Sequence, residues 1–118
     1  MPATIPLCGS EDIPDNGSKG FTVDGLQLFA VKKRGQVFVY HNRCPHAGLP
    51  LNWLPDQFLD LDRELIQCTS HGALFRIDTG RCVAGPCPGQ HLRAVECRET
   101  EGQIYIDWKG LHEGEEPS

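Results

Sequence analysis

Two short stretches of this chain each place a thiol beside an imidazole, and that pairing constrains the fold more than any other feature. The first is Cys44-Pro45-His46-Ala47-Gly48 and the second is Cys68-Thr69-Ser70-His71-Gly72. The pattern is C-x-H, then residues 47–67, then C-x-x-H. Thiolates and imidazoles together suit zinc and iron–sulfur centres. For Cys44, His46, Cys68 and His71 to share one site, two loops must converge like a pair of fingers. The ligand types leave two readings open, a tetrahedral structural zinc and an iron–sulfur centre. The C-x-H opening is unusual for a zinc finger, and no helix carrying paired histidines comes after it. Both facts favour iron–sulfur.

The chain has 118 residues, the usual size of one domain, with ordinary apolar content. Its formal net charge of -5 argues against a nucleic-acid binder, which needs a basic face. No apolar run reaches the length that crosses a bilayer. Met1 to Leu7 lacks the basic segment and apolar core of a secretory signal, so the expected location is the cytoplasm. There the six cysteines read as metal ligands rather than as a disulfide frame. Cys8, Cys82, Cys87 and Cys97 lie outside the two boxes and read as small buried apolar residues. A Cys82–Cys87 bridge is disfavoured in a reducing compartment. His41, His91 and His112 read as ordinary polar residues.

Most of the remaining sequence alternates with period two between glycine turns, as strands and hairpins do. Ile5 and Leu7 open a first strand. A polar stretch from Ser10 to Gly20 carries the turn signal Asp15-Asn16-Gly17, and Phe21 to Val23 is a short strand. Leu26 to Lys32 and Gln36 to His41 form a hairpin about Arg34-Gly35, with Leu28, Ala30, Val37 and Val39 as its buried face. Residues 42–88 are loop-rich, and a long loop in a compact domain is usually functional or disordered. Short strands are expected within them at Glu64 to Cys68, Leu74 to Ile77 and Arg81 to Val83. Asp56 to Leu65 is the best helix candidate and equally reads as a loop. A last hairpin joins Leu92–Arg98 to Gln103–Trp108 through Glu101-Gly102. The fold class is therefore all-β, with a loop-rich insert that carries both metal boxes.

The two boxes resemble the ligand boxes of Rieske proteins. The segment Leu74-Phe75-Arg76-Ile77-Asp78-Thr79-Gly80-Arg81-Cys82 resembles the hairpin after the second box in that family. Gly85-Pro86-Cys87-Pro88-Gly89 resembles its proline-rich loop over the cluster, and Gln103-Ile104-Tyr105-Ile106 its closing strand. The resemblance covers most of residues 20–108 and is nearest to stand-alone ferredoxins of bacterial oxygenase systems. It implies a Rieske-like fold of stacked antiparallel sheets with an inserted cluster-binding subdomain. In this chain that means one domain over 1–118, with base strands at about 1–41 and 90–109, the cluster-binding subdomain at about 42–89 and an acidic tail at 110–118. It implies one 2Fe–2S cluster, with Cys44 and Cys68 on the buried iron and His46 and His71 on the outer one. Pro86 and Pro88 read equally as a rigid cover for it or as an ordinary turn-rich loop.

The departures are informative. Respiratory Rieske proteins carry an additional cysteine in each box, joined as a disulfide; Leu49 and Ser70 stand there in this chain. They also place a serine and a tyrosine past the second box, donating hydrogen bonds to sulfur; Ala73 and Phe75 stand there. The spacer, with Asn52-Trp53-Leu54-Pro55 and the acids Asp60 and Asp62, is longer than the resemblance implies. Trp53 reads as core of that spacer.

The resemblance implies a one-electron carrier without substrate turnover of its own. It would take electrons from a reductase, a flavoprotein, and pass them to a terminal oxygenase or similar oxidoreductase through a small patch around His46 and His71. The alternatives are a small Rieske subunit of a larger oxidoreductase, such as a nitrite-reductase-like complex, and a structural zinc module. A complete Rieske oxygenase is not expected, because no stretch remains for a mononuclear-iron domain.

Overall fold

The computed structural model describes residues 4–23, 25–43, 58–60, 64–68, 72–85 and 90–107. Strand β1 (Thr4–Gly9) passes through one 3-10 turn (Ser10–Asp12) into β2 (Gly17–Val23), β3 (Leu26–Lys33) and β4 (Gln36–His41). Then come β5 (Leu65–Gln67), β6 (Leu74–Arg76), β7 (Cys82–Ala84), β8 (Ala94–Val95), β9 (Cys97–Thr100) and β10 (Gln103–Asp107). Among the described residues these form three antiparallel sheets, ordered β1-β10-β9, β2-β3-β4-β8 and β5-β6-β7. No helix among the described residues is long and apolar enough to cross a membrane.

The central sheet is buried on both faces. Leu28, Phe29, Ala30 and Val31 of β3 are all fully buried, as an unbroken apolar run requires. Period-two alternation sends Leu28 and Ala30 to one side, with Val39, Val95, Ile13, Ile104 and Ile106. It sends Phe29 and Val31 to the other, with Tyr40, Phe58, Ile66, Phe75 and Leu92. A lower core thus lies between the central β2-β3-β4-β8 sheet and the β1-β10-β9 sheet, and an upper core between the central sheet and the small β5-β6-β7 sheet. The expected buried face of Leu28, Ala30, Val37 and Val39 is the first core, where Val37 is only half-buried.

Two hairpins turn where expected. Arg34 and Gly35 have φ of 53° and 77°, and Glu101 and Gly102 have 51° and 78°, which matches the right-handed strand twist of a two-residue turn. Three details differ from the sequence reading. Strand β2 begins at Gly17, because Ser18, Lys19 and Gly20 pair with Val31, Ala30 and Phe29; an edge strand needs no apolar run to hold its ladder. The stretch Leu92 to Arg98 is two strands in different sheets, with β8 on β4 and β9 on β10. Residues 58–60 are extended rather than helical. Leu59 bridges Ile66, Asp60 N–H donates to Leu65 C=O, and Gln67 N–H donates to Phe58 C=O.

Tyr40 ties the small sheet to the central one. Its hydroxyl donates to the Ile77 carbonyl at 2.6 Å in a buried setting. Burial, reinforced by Asp78 and Cys97, holds that phenol above its ordinary pKa, so it remains a donor. Replacing Tyr40 with Phe leaves Ile77 without this partner. The expected cost is about 1–3 kcal/mol, read as a lower urea midpoint at unchanged slope. An unchanged midpoint would show that the bond carries no stability.

Candidate metal centre

Of the four expected ligands, Cys68 falls among the described residues; Cys44, His46 and His71 lie outside them. It sits at the neck of the β5–β6 hairpin, one residue past Gln67, which pairs with Leu74. Its N–H donates to Ala73 C=O at 2.8 Å, and its C=O accepts from Gly72 N–H at 2.8 Å. The two ends of the second box, Cys68 and Gly72, are therefore tied together at the base of the β5–β6 hairpin by two backbone bonds. Gly72, at φ 72°, turns the chain back into β6. The Cys68 side belongs to the upper core, with Ala73, Phe75 and Cys82, and the residue is 1 % exposed.

The first box begins just past β4. His41 N–H donates to Arg93 C=O and Asn42 N–H to Gln27 C=O, so the strand is held up to the edge of the box. The other expected determinants near the boxes, Leu49, Ser70, Trp53, Pro86 and Pro88, lie outside the described residues. Ala73 and Phe75 are both fully buried, and neither carries a hydroxyl.

The remaining described cysteines are scattered. Cys82 is buried in β7, where its thiol donates to Ala84 C=O at 3.3 Å. Cys8 and Cys97 are half-buried on the lower core. Burial pushes both thiols above their ordinary pKa, aided at Cys8 by Asp12 and at Cys97 by Glu96. Such thiols stay protonated near neutral pH and make poor ligands. A cleft of about 530 Å³ opens between Lys33, Arg34 and Phe38 on one side and Arg76, Asp78 and Val83 on the other. It borders the β3–β4 turn, the end of β4 opposite the first box, and so is not the metal centre.

The chemistry of the donor set fits the cluster that the sequence implies. Cys68 is a buried free thiol at a hairpin neck held by backbone bonds, so its position is set by the fold. The residue types of the two boxes supply two sulfurs and two ring nitrogens. Sequence reasoning did not find the part played by Gly85. It has φ 100°, and a Cβ there would lie 2.6 Å from the Ala73 Cα. The only signal in the sequence is a glycine where a proline-rich loop begins.

Comparison with known proteins agrees with this geometry. Residues 3–102 match the family model of the Rieske [2Fe-2S] domain. The ferredoxin component of the naphthalene 1,2-dioxygenase system of Pseudomonas aeruginosa is 32% identical over 96 residues, covering 81% of this chain and 86% of that protein. Cholesterol 7-desaturase of Caenorhabditis elegans is 33% identical over 118 residues, covering 90% of this chain but only 27% of that protein. In a solved complex of reduced oxygenase and oxidised ferredoxin of carbazole 1,9a-dioxygenase, one chain superposes with a TM-score of 0.74 at 22% identity, covering 92% of this chain and 95% of that one. At that identity the likeness speaks for the fold. With the hairpin neck, the two boxes and the family match in agreement, this chain belongs to the Rieske [2Fe-2S] domain family, and its cofactor is one 2Fe–2S cluster of the Rieske type.

Proposed function

We propose that this chain is a one-electron carrier, a cytoplasmic Rieske ferredoxin that accepts electrons from a flavoprotein reductase and delivers them to a terminal oxygenase. The observation that carries the reading is the match to a dioxygenase-system ferredoxin across 86% of that protein's length. That relative's place in a dioxygenase system supports the choice of acceptor. The chain turns over no substrate of its own. Its ligands are Cys44 and Cys68 on one iron and His46 and His71 on the other, within a cluster-carrying subdomain of about residues 42–89.

When bound, the cluster supplies one-electron redox chemistry. The chain supplies position and environment. The hairpin neck fixes Cys68, and Phe75, Ile66 and Phe58 pack an apolar wall in the same core. Cys68 is buried in that same core, away from water.

The potential is expected at the low end of the Rieske range, about -150 mV. Hydrogen bonds to sulfur stabilise the more negative, reduced cluster. Ala73 and Phe75 have no hydroxyl to give. A potentiometric titration yielding a value above zero would contradict this assignment.

Function is tested by reconstitution. With a flavoprotein reductase, its reductant and cytochrome c as acceptor, adding the loaded chain should accelerate cytochrome reduction. Adding a cluster-free Cys68→Ala chain should not. No acceleration by the loaded chain would count against the carrier role. A second reading, a Rieske module serving a larger oxidoreductase, draws on the match to about a quarter of cholesterol 7-desaturase. Stable co-elution with a large catalytic subunit would favour it.

A further inference from the structure

The β6–β7 pairing contains an irregularity beside the second box. Phe75 pairs with Cys82 and Leu74 with Ala84, so Val83 is an extra residue in β7. Val83 is 51 % exposed, while Cys82 before it is buried. A bulge of this kind bends its strand and re-aims the chain beyond it. The Cys82 thiol closes across it onto Ala84 C=O at 3.3 Å.

Immediately after β7 stands Gly85, at φ 100°. The bulge brings its Cα against the backbone of Ala73. An ideal Cβ at position 85 would stand 2.6 Å from Ala73 Cα and 3.1 Å from both its N and its Cβ. Two of those three neighbours are backbone atoms that cannot swing aside. Ala73 is fully buried, so it has no free volume to retreat into. Ala73 also forms half of the hairpin neck, since its carbonyl accepts the Cys68 N–H at 2.8 Å. A contact chain therefore runs from Gly85 through the Ala73 backbone to Cys68.

We propose that Gly85 is a positioning residue for the cluster: by lacking a Cβ, it lets β7 close against Ala73 and so sets the backbone that presents Cys68. The inference rests on Cys68 being a ligand, as proposed above. Any side chain at position 85 must push Ala73 or lift the segment after β7. Either displacement moves the Cys68 sulfur or opens its surroundings.

The control is built into the same fold. Gly102 also has positive φ, at 78°, yet no described atom lies within 4 Å of where its Cβ would stand. Gly102→Ala therefore carries the backbone strain without the contact. Gly85→Ala, Gly102→Ala and Ala73→Val are purified with their clusters. Each is examined by EPR after reduction, by the rate of cluster bleaching in a chelator, and by thermal unfolding monitored by circular dichroism. Gly85→Ala and Ala73→Val should shift the EPR g values and bleach faster, roughly tenfold, as altered surroundings of a metal ligand usually do. Gly102→Ala should keep the parent g values and bleaching rate, although it unfolds at lower temperature. Gly85→Ala protein that keeps its β-sheet spectrum but purifies without cluster, while Gly102→Ala stays loaded, is the same result in stronger form. Parent-like g values and bleaching in both Gly85→Ala and Ala73→Val would overturn the proposal. If Cys68→Ala retained its cluster, the ligand assignment itself would fail, a result distinct from the others.

Discussion

Replacing Cys68 with Ala should yield a folded, colourless protein without iron. The substitution removes a single sulfur atom from a buried site, so the packing loss is small against a whole-domain stability of about 5–15 kcal/mol. The backbone bonds of the hairpin neck do not use the side chain and remain. The loss is one of the two thiolates that would hold the inner iron, and a Rieske cluster has no spare ligand. Iron content should fall from two per chain to near zero, and the visible absorbance should go with it. The far-ultraviolet circular dichroism should stay that of a β protein. A Cys68→Ala chain that kept its iron would remove Cys68 from the site. A variant that lost both metal and fold would mean that the metal supports the whole domain, as a structural zinc would.

Replacing Phe29 with Ala should produce the largest loss of stability, about 3–5 kcal/mol. Phe29 is fully buried at the centre of the upper core. Its ring stacks on Phe58 at 4.4 Å and 6°, and meets Tyr40 at 5.8 Å and 35°. Those three side chains join the central sheet to residues that lead into β5. Truncation leaves a cavity that neither β3 nor β5 can close without breaking its ladder. Urea unfolding should show a much lower midpoint. Cluster loss should accelerate as well, because the sheet that carries Cys68 rests on this contact. A loss below about 1 kcal/mol would mean that the small sheet is held by something other than the aromatic stack.

Much of this could be read from the sequence, for specific physical reasons. Arg34-Gly35 and Glu101-Gly102 each interrupt an alternating run, and both are two-residue turns in the structure. The boxes were legible because few chemistries ask for a thiol and an imidazole side by side, twice. The second buried face was legible in principle. Leu28 to Val31 is an unbroken apolar run, whereas alternation alone marks just one face. Other features depend on partners that alternation does not name. Ser18 and Lys19 belong to a strand because Val31 and Ala30 lie beside them. The Leu92–Arg98 stretch divides because Val95 pairs with Val39 of β4 while Cys97 pairs with Ile106 of β10. The contact of Gly85 with Ala73 depends on a one-residue bulge, which local composition does not encode.

The most direct test is the metal content and EPR spectrum of the purified, reduced chain. Two irons and two acid-labile sulfides per chain, with an average g below the free-electron value, are the expected result. Zinc in place of iron, or a colourless protein that gives no signal after anaerobic purification, would contradict the account.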